Sequence, residues 1–406
     1  FGPRFGGDHR NAEQYMHKLA ARYPGRVVTA WSDYSSASHG IGLEARHTDF
    51  SLVDFFVAKN IDKKVKPFAY SLDLSATFPH RIKAGETWQS PPMRIFLHAG
   101  DWHATADAHR EWVESWITKP ARTAKFVEGI GWHYFFIKHQ DGSAHFTYAD
   151  LPRMAEASLS AGCPYLLLFG WHEGGHDNHY FYRYVANREW GGAEGLRRAV
   201  MRARELGAEL IPFFNGTLAN VNTPEHKEFG HRWEVRSREN APNYAGDWSA
   251  FTVDGPSTDR ERMHHEICPC AGHQEYFLES MQRIVRDYGF GNIQLDQISI
   301  KNFPCYNESH GHDRPDRAPI DGFARLLEDT RAFVRAEHPG GMLLAECTNE
   351  FTGQWTDGAW TWDFLEYTEP ILYSAPWLLT STSVDAEEYS ETNRAFAYKI
   401  MFDLRI

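Results

Sequence analysis

Two carboxylates interrupt otherwise apolar stretches in the second half of this sequence. Asp296 closes the run Gly291-Asn-Ile-Gln-Leu-Asp, and Glu346 closes Met342-Leu-Leu-Ala-Glu, with Glu350 four residues further on. Burying a carboxylate is costly unless it is paired, so an acid at each of these places demands a reason. If the runs are neighbouring strands of a parallel barrel, the two carboxyls face one cavity. A separation of roughly 5 Å would then suit the nucleophile and the acid/base of a retaining glycosidase. The ordinary alternative is that each acid caps a helix or pins a loop.

A second polar cluster follows the apolar run Tyr165–Phe169: Gly-Trp171-His172-Glu-Gly-Gly-His176-Asp177-Asn-His179-Tyr. His172 to His176 matches the zinc-protease pattern H-E-x-x-H. That pattern needs both histidines one turn apart on a helix, and two glycines in a segment leaving a strand argue against a helix. The expectation is a polar loop at a barrel mouth, with Trp171, His172, His176 and Asp177 placed to stack on a sugar and hydrogen-bond its hydroxyls. Asn215, after Phe213-Phe214, is a further candidate sugar contact and Glu350 another. Asn-Gly is also a plain turn signal. Asp363, Glu366 and Glu369 lie among Trp360, Trp362 and Tyr367 and carry a weaker signal. The cluster His264-His265-Glu-Ile-Cys268-Pro-Cys270-Ala-Gly-His273 contains metal-ligating residue types. Cys-x-Cys is not the Cys-x-x-Cys knuckle, and no second pair follows at finger spacing, so the segment is read as the entry to a helix and no metal is assigned.

The elements that would position these groups change character near residue 101. Residues 1–100 carry alternating β-rich stretches between turns, which predicts the C-terminal part of a β-sandwich-like domain. Asp101 to about 125 reads as a linker helix and its tail. From 126 to 406, apolar runs at 130–137, 165–169, 210–214, 293–295, 342–345 and 371–379 alternate with helices near 149–161, 192–206, 271–288, 320–337 and 386–402. That alternation predicts an α/β fold with a parallel sheet, closed as a (β/α)₈ TIM-type barrel. An open doubly wound sheet is the rival, but no Gly-x-Gly-x-x-Gly turn follows the first run. Six strands are found where eight are needed. The expectation is therefore a truncated barrel, completed by a C-terminal continuation or a second chain, unless two strands hide within 215–270 or 350–385.

Composition narrows the partners. With 42 basic and 54 acidic residues in 406, the formal charge of −12 disfavours nucleic acid. No apolar run approaches the length of a membrane-spanning helix. Five cysteines are an odd number and do not form a disulfide scaffold. Aromatics make up 15% of the chain, which fits either a sugar-stacking surface or a generously packed core. The chain starts at Phe1, shows no signal peptide, and leaves the compartment open between cytoplasmic and secreted.

Trp171-His-Glu-Gly-Gly-His-Asp-Asn-His-Tyr, Gly191-Gly-Ala-Glu-Gly-Leu-Arg-Arg-Ala and Leu210-Ile-Pro-Phe-Phe-Asn-Gly together resemble a group of bacterial glycoside-hydrolase-like barrels carrying a domain of uncharacterised function. That group is distantly similar to endo-α-N-acetylgalactosaminidases and, further off, to α-galactosidases and α-glucosidases. The resemblance spans most of 90–350 and implies a β-sandwich before a (β/α)₈ barrel. It implies a nucleophilic aspartate ending the fourth strand, matched by Asp296. It implies an acid/base ending the fifth strand, matched by Glu346, whereas the α-galactosidases take theirs from the sixth.

The resulting expectation is a carbohydrate-metabolising hydrolase, a retaining glycosidase that works on a carbohydrate or glycoconjugate through a covalent Asp296 intermediate, without a cofactor. The rivals are a non-catalytic carbohydrate-binding barrel and a metal-dependent hydrolase or lyase using His172, His176 and His179.

Overall fold

The computed structural model describes residues 17–62, 69–139, 141–178, 181–247, 250–252, 255–257, 263–361, 368–384, 389–397 and 400–405. His179, Asp363 and Glu366, named above, lie outside them. The chain divides into two compact units: Phe1–Lys119 with Thr348–Gln354 and Asp363–Leu378, and Pro120–Cys347 with Trp355–Trp362 and Leu379–Ile406.

The first unit holds two three-stranded antiparallel sheets. One joins His17–Tyr23, Val53–Asp62 and Ala69–Thr77; the other joins Trp31–Ser35, His39–Ala45 and Met93–Ala99. The helix His103–Glu114 belongs to this unit. At its centre His109, fully buried, bridges two buried carboxylates: Nδ1 lies 3.2 Å from Glu44 Oε1 and Nε2 lies 2.7 Å from Glu350 Oε1. Glu350 Oε2 accepts from the Tyr23 hydroxyl at 3.0 Å and the Ala30 amide at 3.3 Å. Both Glu350 oxygens are thus held by protein groups inside the first unit, which corrects its assignment as a sugar contact.

Burial opposes charge on His109, but the Glu350 charge and hydrogen bond, then those of Glu44, outweigh it and raise its pKa to about 9. A histidine with a raised folded pKa stabilises the fold fully below its ordinary value of about 6.5, and that contribution is lost as pH rises through about 9. Denaturant midpoints of the wild type are therefore expected to fall between pH 7 and pH 9–10. His109→Gln should abolish that slope and, by stranding two buried carboxylates, cost roughly 3–5 kcal/mol at neutral pH. A flat wild-type profile with an unaffected variant would refute this.

The second unit is the barrel. Its eight strands, in chain order, are Gly131–Phe136, Tyr165–Phe169, Glu209–Asn215, Ile293–Asp296, Leu343–Glu346, Gly358–Trp360, Ser381–Val384 and Met401–Arg405. The first six pair in parallel in sequence order, the seventh pairs with the eighth, and the eighth pairs with the first. A single bridge between Ala359 and Thr380, with the Ala359 amide donating to the Leu379 carbonyl at 3.0 Å, joins the sixth strand to the seventh. Strands buried on both faces read as unbroken apolar runs, as in Tyr165–Phe169. The helix Gly192–Leu206 buries Leu196, Ala199, Val200 and Ala203 and stops at Gly207, whose φ of +102° closes it in the left-handed region.

The count of six strands is corrected: all eight barrel strands come from this chain. The sixth strand has three residues, too few to show a period. The eighth was merged into the helix read over 386–402, which ends at Ala397. Residues 371–379, read as a strand, instead contain the end of the helix Thr368–Ser374, which carries exposed Glu369 and falls in the first unit. The seventh strand begins at Ser381. The excursion after the third strand forms its own antiparallel sheet from Leu218–Asn220, Met263–Glu266 and Tyr244–Asp247, outside the barrel.

Candidate active site

The barrel interior is filled with rings. Tyr134, Phe169, Phe213 and Trp360, from the first, second, third and sixth strands, pack at centroid distances of 4.9–5.9 Å. Much of the aromatic content is therefore core, as the buried Trp132, Trp171 and Trp360 also show. His176 sits edge-on to Phe136, Phe169 and Phe213, at 4.9, 4.9 and 5.0 Å. Burial lowers its pKa, Asp177 opposing. Its Nδ1 is buried with no hydrogen-bond partner among the described residues.

Asp296, Asn215 and Glu346 end the fourth, third and fifth strands, all buried. Asn215 Nδ2 donates to Asp296 Oδ2 at 2.7 Å, while Asn215 Oδ1 accepts from the Thr217 and Leu218 amides at 2.9 and 3.0 Å. The Asn215 amide donates to the Tyr184 hydroxyl at 2.8 Å. The carboxamide is thus fixed with its donor on Asp296, and the turn signal read at Asn215-Gly serves this orientation.

Asp296 and Glu346 form a side-chain hydrogen bond. Burial, then the Glu346 charge and that bond, then Asp177, push the Asp296 carboxyl well above its usual range, with Asn215 opposing. Two buried carboxyls beside each other resist carrying two charges at once.

The backbone around them is constrained. Gln297 and Cys347, the residues directly after Asp296 and Glu346, have φ of 55° and 57°, and Asp177 has 54°. Non-glycine residues seldom occupy the left-handed region, at a cost of about 1–3 kcal/mol each, and such residues gather at functional sites. The turn at Gln297 aims its amide at Glu346 Oε2, 3.1 Å away.

The loop from Gly170 to Asp177 is built from turns, not a helix. Gly170 and Gly175 have positive φ, and a Cβ on either would meet the Lys138 or His139 carbonyl oxygen at 1.9 or 2.4 Å. His172 packs 4.6 Å from the Tyr184 ring and His176 turns to the phenylalanines, so the two do not share a helix face as a zinc protease requires. Trp171 is fully buried between Tyr184, Tyr288 and Phe290, its indole donating to the Phe213 carbonyl at 2.9 Å. Neither Trp171 nor the buried His172 offers an open ring face, so the stacking assignment is corrected for both. The mouth therefore gathers Asp296, Glu346, Asn215, Asp177 and His176, and adds Tyr184 and Gln297, which no sequence pattern marked.

A family model described as Domain of unknown function (DUF6259) matches residues 91–368. No curated protein sequence matches. Among solved structures, a quadruple mutant of α-N-acetylgalactosaminidase from Bifidobacterium bifidum is similar, with a TM-score of 0.68 and 16% identity over 93% of this chain and 64% of that one. A GH36 α-galactosidase from Geobacillus stearothermophilus gives 0.57 and 12% over 96% and 55%. The α-galactosidase from Lactobacillus brevis gives 0.57 and 11% over 96% and 53%. The chain spans between half and two thirds of the length of these structures, and the likeness is one of fold.

Proposed function

The chain belongs to the DUF6259 family, and we propose that it is a retaining glycoside hydrolase acting on α-linked galactose or N-acetylgalactosamine units. The observation that carries the reading is the pair of buried carboxyls, Asp296 and Glu346, at the C-terminal ends of the fourth and fifth strands, where barrel enzymes keep their chemistry. Asn215 donates to Asp296, which favours its anion. With a proton on Glu346 and none on Asp296, the pair becomes an acid and a nucleophile. An Asp296 oxygen forms a bond to the anomeric carbon as the glycosidic bond breaks, and Glu346 gives its proton to the leaving oxygen. Glu346 then takes a proton from water, whose oxygen displaces Asp296. Retention requires the two carboxyls to stand roughly 5 Å apart with the sugar between them. Asp177, whose charge reaches Asp296, and its neighbour His176 would contact ring hydroxyls. The names of the similar structures support the sugar class.

The test is turnover of aryl α-galactoside and α-N-acetylgalactosaminide, with the β-anomers as controls, following the first-formed product by proton NMR. Release of the α-anomer is expected. Initial release of the β-anomer would refute retention, and saturable sugar binding without turnover of any substrate would leave a binding barrel in its place.

A further inference from the structure

Outside the mouth, Cys268 and Cys305 meet His310 and His312. One donor atom from each of the four lies within 4.8 Å of every other. The thiols are buried and the imidazoles half-buried. Cys268 ends the excursion that follows Asn215, whereas the other three lie on the loop that follows Asp296. Two thiolates and two imidazoles are the donor set of structural zinc, and a tetrahedron with bonds of about 2.0–2.3 Å has edges of about 3.3–3.8 Å. Cys305 Sγ and His310 Nδ1, 3.4 Å apart, already span one such edge.

The surroundings prepare these donors. His310 Nε2 lies 2.7 Å from the Arg232 carbonyl oxygen, with the Asn307 carboxamide beside it. Nδ1 faces Cys305, and contacts of this kind at the far ring nitrogen are the outer-sphere arrangement that orients metal-binding histidines. His312 Nε2 is buried with no hydrogen-bond partner among the described residues. Gly311, at φ +73°, makes the turn that brings both imidazoles to one point.

We propose that Cys268, Cys305, His310 and His312 bind one structural zinc ion that staples the loop after Asp296 to the excursion after Asn215. On binding, the two thiols lose their protons to solvent and form two Zn–S bonds, with no change of oxidation state. Cys270, beside Cys268 at the start of the next helix, remains outside the set. The site does not depend on what the mouth hydrolyses.

The test is the metal content of purified full-length protein grown with zinc, by plasma mass spectrometry. One zinc per chain is expected, retained in Cys270→Ser and lost from Cys305→Ser and His310→Ala. Chelation should lower the thermal midpoint by roughly 5–10 °C, reversibly. If those variants fail to fold, cobalt(II) added to chelated wild type reads the site directly, through the visible bands of a tetrahedral ion and thiolate-to-cobalt charge transfer. Folded protein that takes up neither zinc nor cobalt, a Cys268–Cys305 disulfide in freshly purified protein, or zinc retained by Cys305→Ser would each overturn the proposal.

Discussion

Asp296→Asn is expected to abolish turnover while giving a folded protein at least as stable as its parent. An amide cannot become the anion that attacks the anomeric carbon, so kcat/KM on every substrate should drop by at least ~10⁴-fold. The stability gain follows from the shift in Asp296. Burial, Glu346 and Asp177 raise its carboxyl well above the usual range. A carboxyl raised in the folded state binds more protons there than in the unfolded chain, so stability falls as pH climbs from about 4 toward the raised value. Asparagine keeps an oxygen for Asn215 Nδ2 and carries no charge, so it removes this penalty. The variant's denaturation midpoint should equal the parent's near pH 4 and exceed it at pH 7. Near-normal turnover in a correctly folded variant would reject the covalent mechanism.

Glu346→Ala should produce a graded loss. Substrates with poor leaving groups need a proton delivered to the departing oxygen and should lose roughly 10²–10⁴-fold, whereas activated aryl glycosides need little help in the first step. The acid limb of the pH profile should also move downward, since removing Glu346 takes away both the charge and the hydrogen bond that raise Asp296. The alkaline limb, which reports the acid, should vanish. Equal losses on both substrate types, with the alkaline limb intact, would transfer the acid role to Asp363 or Glu366, which follow the sixth strand in sequence. Glu350 is no candidate, because His109, Tyr23 and the Ala30 amide already occupy its oxygens.

What could be read from the sequence tracks how local the signal is. Asp296 and Glu346 stood out because a carboxylate inside an apolar run is locally anomalous. Five of the barrel strands were found for the converse reason, their uninterrupted apolar character. Gly358–Trp360 is shorter than any period, and Met401–Arg405 follows a helix without a break in polarity. Trp171 was misjudged because an aromatic residue in a polar loop looks like a platform, and only the rings around it show that it is core. Glu350 was misjudged because its partners lie more than 200 residues away in sequence. The left-handed backbone at Gln297 and Cys347 had no glycine to announce it. The cluster of Cys268 with Cys305, His310 and His312 leaves no local pattern, because those three lie on the far side of a helix and a barrel strand.

The division of the chain into units restricts how such a protein can be recombined. After Glu346 the polypeptide leaves the barrel for Thr348–Gln354, returns for the sixth strand, and contributes Asp363–Leu378 to the first unit before the seventh. A cut at Lys119 therefore yields no separable cassette. A barrel expressed from Pro120 onward would still carry both segments, including a Glu350 whose counter-charge, His109, had been left behind. Exchange of the N-terminal unit between relatives has to carry three stretches of sequence at once. Lineages that shuffle domains by single crossovers would be expected to inherit the two units together.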